Sequence, residues 1–418
     1  MSFFENIQNT TQKESAVSGV DGWLFTDFWG RDSLTASILH LSKDNFSSRR
    51  WVYIVFARET APLKILHSIE DDFLCHLPAG TKKTYSSQKE FEAILKELAG
   101  LKFAVLYDSN IPAISTVDGG FLATLKKCGI KTLSAKTFVQ RCVGILSPAG
   151  IDSHERSSSL LHGIIADTWD FITQHYKTAT PLTEGKTATF ILNQFIQYNL
   201  TTDHAPIVAF GKNTGNPHYQ VPLAGGATAK PGDVIQLDIW AKEKIASDEK
   251  GVCSSNNAIY ADISWVGIFG SPSLQQQTMF EAIKAARNKA LIAINEAVAT
   301  NKEISGLQID KIVRQEIDSL GYGSLIRHRT GHGIDTKCHG YGVNLDSVEF
   351  PDDRNLLIGS CVSIEPGIYT AEYGMRTEID LYIDYEGKPV VSGQRFNSRY
   401  KNRLPEIPQK QLLTTEDF

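Results

Sequence analysis

GDVIQLDIWA, residues 232–241, reads with a period of two: Ile235, Leu237, Ile239 and Ala241 form an apolar stripe, while Gln236, Asp238 and Trp240 point the other way. AIYADISWVG, residues 258–267, repeats the device. Here Ile259, Ala261, Ile263 and Trp265 make the stripe, and Tyr260, Asp262 and Ser264 face away. Each strand carries a carboxylate at its middle, opposite its core face. Paired as a hairpin, the two strands would aim both carboxylates into one cavity.

Downstream, CVSIEPGIY (361–369) places Val362 and Ile364 on one face and Glu365 on the other, just before a Pro-Gly turn. GMRTEIDLYI (374–383) turns Ile379, Leu381 and Ile383 inward, with Arg376, Glu378 and Asp380 opposite. Between the two acidic pairs lies RHRTGHGIDTKCHG (327–340), with His328, His332 and His339 spaced by four and then seven residues. Gly331 and Gly333 flank His332, which lets the backbone approach something closely and discourages a regular helix. A single strand-borne acid is ordinarily solvated, a single Glu-Pro-Gly is ordinarily a turn, and a lone histidine is ordinarily a satisfied surface or core group. Three of the eleven histidines between two acid pairs form a pattern that these readings do not cover. Several carboxylates converging on one cavity repel and raise one another's pKa unless cations neutralise them. Hard oxygen donors with one imidazole suit Mn²⁺, Fe²⁺, Co²⁺ or Zn²⁺, and two bridged ions can make a hydroxide nucleophilic near neutral pH. The pattern predicts a dinuclear hydrolase.

The rest of the 418-residue chain frames this site. At roughly 150 residues per domain the length predicts two or three domains, and the charge of 42 − 47 = −5 with no basic tract argues against nucleic acid or anionic membrane as partner. Six scattered cysteines without a CxxC pair suggest neither a disulfide framework nor a thiolate zinc site, and Cys338, beside His339, reads as a packing residue. No run approaches the length of a membrane span, and Glu5 stands where a signal peptide needs a basic start, so a cytoplasmic location is expected. From Gly22 to about Ala135, β-rich runs (GWLFTDF, WVYIVF, KFAVLYD, IKTLSA) alternate with helix-like stretches (QKEFEAILKEL, GGFLATLKKC), an α/β pattern without the GxGxxG of a dinucleotide site. SPAGIDSHERSSS (147–159) reads as a break, which sets a boundary near residue 155 and domains of 1–155 and 156–418. Ile283, Ala286, Ala290, Ile294 and Val298 share one face of a helix predicted from about Ser273 to Thr300, and a second helix is predicted over Leu307–Leu320.

QLDIW, YADISWVG, HRTGHGIDTKCHG, SIEPGIY and GMRTEID, in this order, resemble the motifs of the pita-bread metallopeptidases (M24), which include prolidase, aminopeptidase P, methionine aminopeptidase and the metal-free creatinase. The resemblance covers nearly the whole chain and implies an α/β N-terminal domain of the creatinase/prolidase type followed by an α+β pita-bread catalytic domain. It implies two divalent ions per subunit, Mn²⁺ foremost, with Zn²⁺, Co²⁺ or Fe²⁺ as alternatives. Asp238 would chelate the first, Asp262 and Glu378 would bridge both, and His332 and Glu365 would complete the second. Since all five positions carry the expected residue type, creatinase is disfavoured. Glu365 would also shuttle a proton as a bridging hydroxide attacks the scissile carbonyl. His339 would hydrogen-bond the substrate carbonyl or the tetrahedral intermediate, and His218, in NPHY, matches the other substrate-facing histidine. His328, Tyr369 and Arg376 would line the prolyl side of the cleft or steady the ligands.

The implied activity is exopeptidase cleavage of the Xaa-Pro bond of a dipeptide or short peptide with proline second, by a homodimer. Two alternatives stand beside it: a hydrolase of another small amide or C–N substrate, and a pita-bread binding protein without catalysis. The chain departs from the family between its aspartates, which are 262 − 238 = 24 residues apart because of the polar stretch KEKIASDEKGVCSSNN. An insertion at a hairpin tip costs little loop entropy and need not disturb ligand pairing.

Overall fold

A computed structural model of the protein describes residues 3–41, 47–59, 61–244, 258–396 and 412–415. They divide into two compact units, one ending at Val143 and the other beginning at Gly144. The stretch read as a break starts a helix instead. Ser147 caps it by accepting from the Gly150 N–H, and Pro148 takes the first-turn position where its missing N–H costs nothing. Residue 155, the expected boundary, lies inside that helix, Pro148–Lys177.

The first unit comprises α1 (Phe3–Ser18), β1 (Gly22–Asp27), α2 (Ser33–Ile38), β2 (Trp51–Phe56), β3 (Leu63–His67), β4 (Thr81–Tyr85), α3 (Gln88–Lys96), β5 (Lys102–Val105), α4 (Gly119–Lys127), β6 (Lys131–Ser134) and α5 (Lys136–Val143). One mixed sheet, in the order β4-β3-β2-β1-β5-β6, organises it. The predicted runs are β1, β2, β5 and β6, with α3 and α4 as predicted helices. Sequence pattern does not reveal α1, α2, α5, β3 or β4. The last of these, TKKTY, is mostly exposed and carries no apolar stripe to betray it.

The second unit opens with α6 (Pro148–Lys177), α7 (Glu184–Gln197), β7 (Leu200–Thr201) and β8 (Ile207–Phe210). The hairpin β9 (Val234–Glu243) and β10 (Ala261–Ile268) follows, then α8 (Leu274–Ala299) and α9 (Gly306–Ser319). The unit ends with β11 (Cys361–Ile364), β12 (Gly367–Tyr369), β13 (Gly374–Arg376), β14 (Ile379–Ile383), β15 (Pro389–Val391) and β16 (Leu413–Thr414). Both long helices start within a residue of the predicted positions, and Ser273 and Ser305 each form a reciprocal capping box with the glutamine three residues on. Val298, assigned to the buried face of α8, is 38% exposed, because the last turn of α8 runs past the core that holds Ile283, Ala286, Ala290 and Ile294.

The predicted hairpin forms, and it is buried on both faces. Its stripe, Ile235, Leu237, Ile239, Ala241, Ala261, Ile263 and Trp265, packs against Leu161, Ile164, Ile165 and Trp169 of α6. On the opposite face Val234, Val266 and Ile268 join a second core built on α8 and α9. A strand buried on both faces has no solvent to hydrate a charge in its middle, so any acid there must find another partner. Of the stretch 242–257, Lys242 and Glu243 extend β9; residues 245–257, with Cys253, lie outside the described residues. Among the described residues no helix is long and apolar enough to cross a membrane.

Candidate metal centre

Antiparallel pairing sets Asp238 opposite Ser264 and Asp262 opposite Trp240. The two aspartates are thus diagonal neighbours on one face of the sheet, close enough for long side chains to meet. The Glu378 N–H donates to the Ser264 carbonyl (3.1 Å), which fastens the segment between β13 and β14 to β10, and Glu378 Oε2 accepts from the Ser264 hydroxyl (2.8 Å). Asp380, two residues on, accepts from the Asp262 N–H (2.9 Å).

The histidine segment lies along β11. The Ser363 N–H donates to the His332 carbonyl (2.9 Å), and the Glu365 N–H donates to the Thr330 carbonyl (2.7 Å). Gly331 makes this approach possible: a Cβ there would lie 2.0 Å from the Ser363 carbonyl oxygen. His332 Nε2 consequently sits 3.5 Å from both Asp262 Oδ2 and Glu365 Oε1. Ligand atoms of Asp262, His332 and Glu378 lie within 4.8 Å of one another, and so do those of His332, Cys338 and His339.

Around this nucleus the guanidinium of Arg376 ion-pairs with Asp238 Oδ2 and donates to Ser264 (3.2 Å) and to the Tyr369 hydroxyl (2.9 Å). His328 Nε2 meets the same hydroxyl at 2.7 Å. Tyr369 and Arg376 are buried, so they steady Asp238 and present little free surface. His339 is exposed and stands edge-on to His332 with ring centroids 4.3 Å apart. His218 is exposed on the turn that follows β8, near enough that its charge is felt at His328 and His339.

Burial, then the neighbouring Asp238, pushes the Asp262 carboxyl well above its ordinary range. Glu378 is pushed the same way by burial and then by Asp262. Burial lowers His332 to about 4, and the adjacent His332 together with burial lowers His339 to about 4. Asp238 Oδ1, Asp262 Oδ1, Glu378 Oε1 and Asp380 Oδ1 are buried without a hydrogen-bond partner. Orphaned buried carboxylate oxygens are costly, and four in one cluster beside an unprotonated imidazole fit a site for divalent cations.

All five residues expected to hold metal are therefore in one cluster, with Glu365 at its partly buried edge and Asp238 held by Arg376. Two participants, Ser264 and Asp380, carry no role in the sequence analysis, and a third, Cys338, is read there as a packing residue. Ser264 and Asp380 share strand parity with Asp262 and Glu378, and that parity was their available signal. Cys338 donates its thiol to Asp262 Oδ2 (3.0 Å), a contact that periodicity cannot reveal because the residue lies in an irregular loop.

A family model described as "Metallopeptidase family M24" matches residues 162–384. A Xaa-Pro dipeptidase of Lactobacillus helveticus is 29% identical over 173 residues, 41% of this chain and 40% of that protein. The chain spans about half the length, or less, of the curated relatives it matches. Among solved structures, dipeptidase PepE from Mycobacterium ulcerans superposes with a TM-score of 0.67 at 18% identity, covering 99% of this chain and 98% of that one. A prolidase from Thermococcus sibiricus superposes with a TM-score of 0.59 at 20% identity, covering 94% and 96%. At these identities the superpositions speak to the fold, an N-terminal domain followed by a pita-bread domain.

Proposed function

Because the chain belongs to metallopeptidase family M24, we propose that it is a dinuclear metal-dependent exopeptidase hydrolysing the Xaa-Pro bond of dipeptides or short peptides. The orphaned carboxylate oxygens of Asp238, Asp262 and Glu378 carry this reading, since bound cations would partner all three at once. Asp238, Asp262, His332, Glu365 and Glu378 would hold the ions. When bound, the ions supply positive charge that acidifies a water and polarises the scissile carbonyl.

The chain's own groups supply the remaining steps. Glu365, 16% exposed, is less buried than the other ligands, which suits it to accept a proton from the attacking water and deliver it to the proline nitrogen. That nitrogen belongs to a tertiary amide without N–H, so it must gain a proton to leave. His339, exposed and next to His332, is placed to donate a hydrogen bond to the oxygen on which negative charge develops. His218 would face the substrate from the opposite loop. Tyr369 and His328 hold Arg376, and Arg376 holds Asp238, so these three fix a ligand's orientation before any ion arrives.

Mass spectrometry of products from Ala-Pro and Ala-Pro-Ala, with Mn²⁺ and with EDTA, tests the proposal. Chelator-sensitive cleavage of the dipeptide alone identifies a prolidase, and cleavage of the tripeptide identifies an aminopeptidase P. Protein that holds two ions and cleaves neither would overturn the Xaa-Pro assignment in favour of another amide substrate. Protein that holds no ion would overturn the enzyme reading altogether.

A further inference from the structure

The metallopeptidase reading leaves the thiol of Cys338 without a task. Its side chain is buried, and its Sγ lies 3.0 Å from Asp262 Oδ2, on a carboxylate whose other oxygen has no partner. Two mutually close donor groups share His332: one contains Asp262 and Glu378, the other contains Cys338 and His339. The sulfur thus touches one carboxylate of the first group and lies in the second group beside His332. Sulfur at ~2.3 Å and oxygen at ~2.0 Å from one ion lie ~3.0 Å apart when they subtend a right angle at it. The observed 3.0 Å separation lets both atoms reach one ion without moving apart.

We propose that Cys338 is itself a metal ligand, supplying a thiolate to the ion held by Asp262 and His332; this rests on the metallopeptidase reading above. Binding forms a sulfur–metal bond, breaks the S–H bond and releases its proton to solvent, with no change of oxidation state. One soft donor in an otherwise oxygen-rich set shifts preference towards Zn²⁺, Co²⁺ or Fe²⁺ and away from Mn²⁺.

The test titrates Co²⁺ into the metal-free full-length protein under reducing conditions and records its absorption. Wild type should show visible ligand-field bands together with a near-ultraviolet sulfur-to-cobalt charge-transfer band. Cys338→Ser should keep the first and lose the second, while Cys75→Ser, which removes an exposed thiol, should keep both. In competition titrations the preference for Zn²⁺ over Mn²⁺ should fall by about tenfold or more in Cys338→Ser. A thiol that merely hydrogen-bonded Asp262 would be replaced by the serine hydroxyl with both affinities moving together. Cys338→Ala gives the same comparison if the hydroxyl disturbs folding. Ligand-field bands without charge transfer in wild type, or a charge-transfer band that survives both Cys338 variants, would overturn the assignment and leave the metal centre standing. No cobalt bands of either kind would overturn the metallopeptidase reading and this inference with it.

Discussion

In the first unit, Asp32 directs Oδ1 at the N–H groups of Leu34 and Thr35 and Oδ2 at the Thr116 hydroxyl. Asp108 does likewise with the N–H groups of Asn110 and Ile111 and the hydroxyl of Ser134. In the second unit, Asp262 and Glu378 are as deeply buried, yet each leaves an oxygen unpartnered. The contrast does not follow from the unit alone. Glu184, also in the second unit, is fully buried and accepts from the N–H groups of Phe210 and Ala227, the Asn213 amide and the Tyr219 hydroxyl. Burial of an acid is thus common to structure and function in this protein. The distinguishing mark is an oxygen left over after the fold has made its hydrogen bonds.

The largest expected effect separates these two kinds of acid. Asp262→Ala or Glu378→Ala should take both metal loading and Ala-Pro hydrolysis to background, without lowering the melting temperature of the metal-free protein, because each removes a repelled charge. Full activity in either variant would sink the site, and a lowered metal-free melting temperature would break the comparison.

Next in size is acid lability. His154 and His162 are fully buried in the second unit, and burial lowers each to about 4. Unfolding returns them to about 6.5, so the unfolded chain binds more protons in between, and stability falls as pH drops from about 6.5 towards 4. Each contributes up to about 3 kcal/mol of that loss. Hydrogen exchange should show the amides of α6 losing protection across this window; protection independent of pH would contradict it.

Asp380 tests whether an acid can serve the centre without holding metal. It aligns Asp262 through the backbone, so Asp380→Asn should weaken metal binding by roughly 10- to 100-fold while leaving the number of ions unchanged, as isothermal titration would show. A reduced stoichiometry would make it a ligand instead. The smallest effect is expected at Asp32, a cap with both oxygens occupied. Asp32→Ala should cost about 1–2 kcal/mol in urea unfolding and leave metal affinity untouched.

The acid pairs were legible because strand periodicity is local: a carboxylate at the middle of an apolar-striped strand must lie on the opposite face wherever the strand goes. Gly331 and Gly333 were legible as a close backbone approach, and Gly331 makes one against Ser363. The capping serines of α8 and α9 likewise act within a turn of themselves. The boundary near 155 was misplaced because Ser-Pro both ends a loop and begins a helix, and only the continuation decides between them. The contacts of Cys338 and Asp380 with Asp262 were not legible because Asp262 is 76 and 118 residues away from them.

The sequence by itself determined the hairpin, its acidic face and the histidine run, which rest on near-neighbour spacing, and its motifs carried the resemblance to the family. Only the tertiary structure decided which buried acids keep an unpartnered oxygen, that Arg376 holds Asp238, and that the sulfur of Cys338 reaches Asp262. The physical reason is that periodicity fixes the side of a strand a residue faces, while the partner it meets there depends on chain folded back from a hundred residues away.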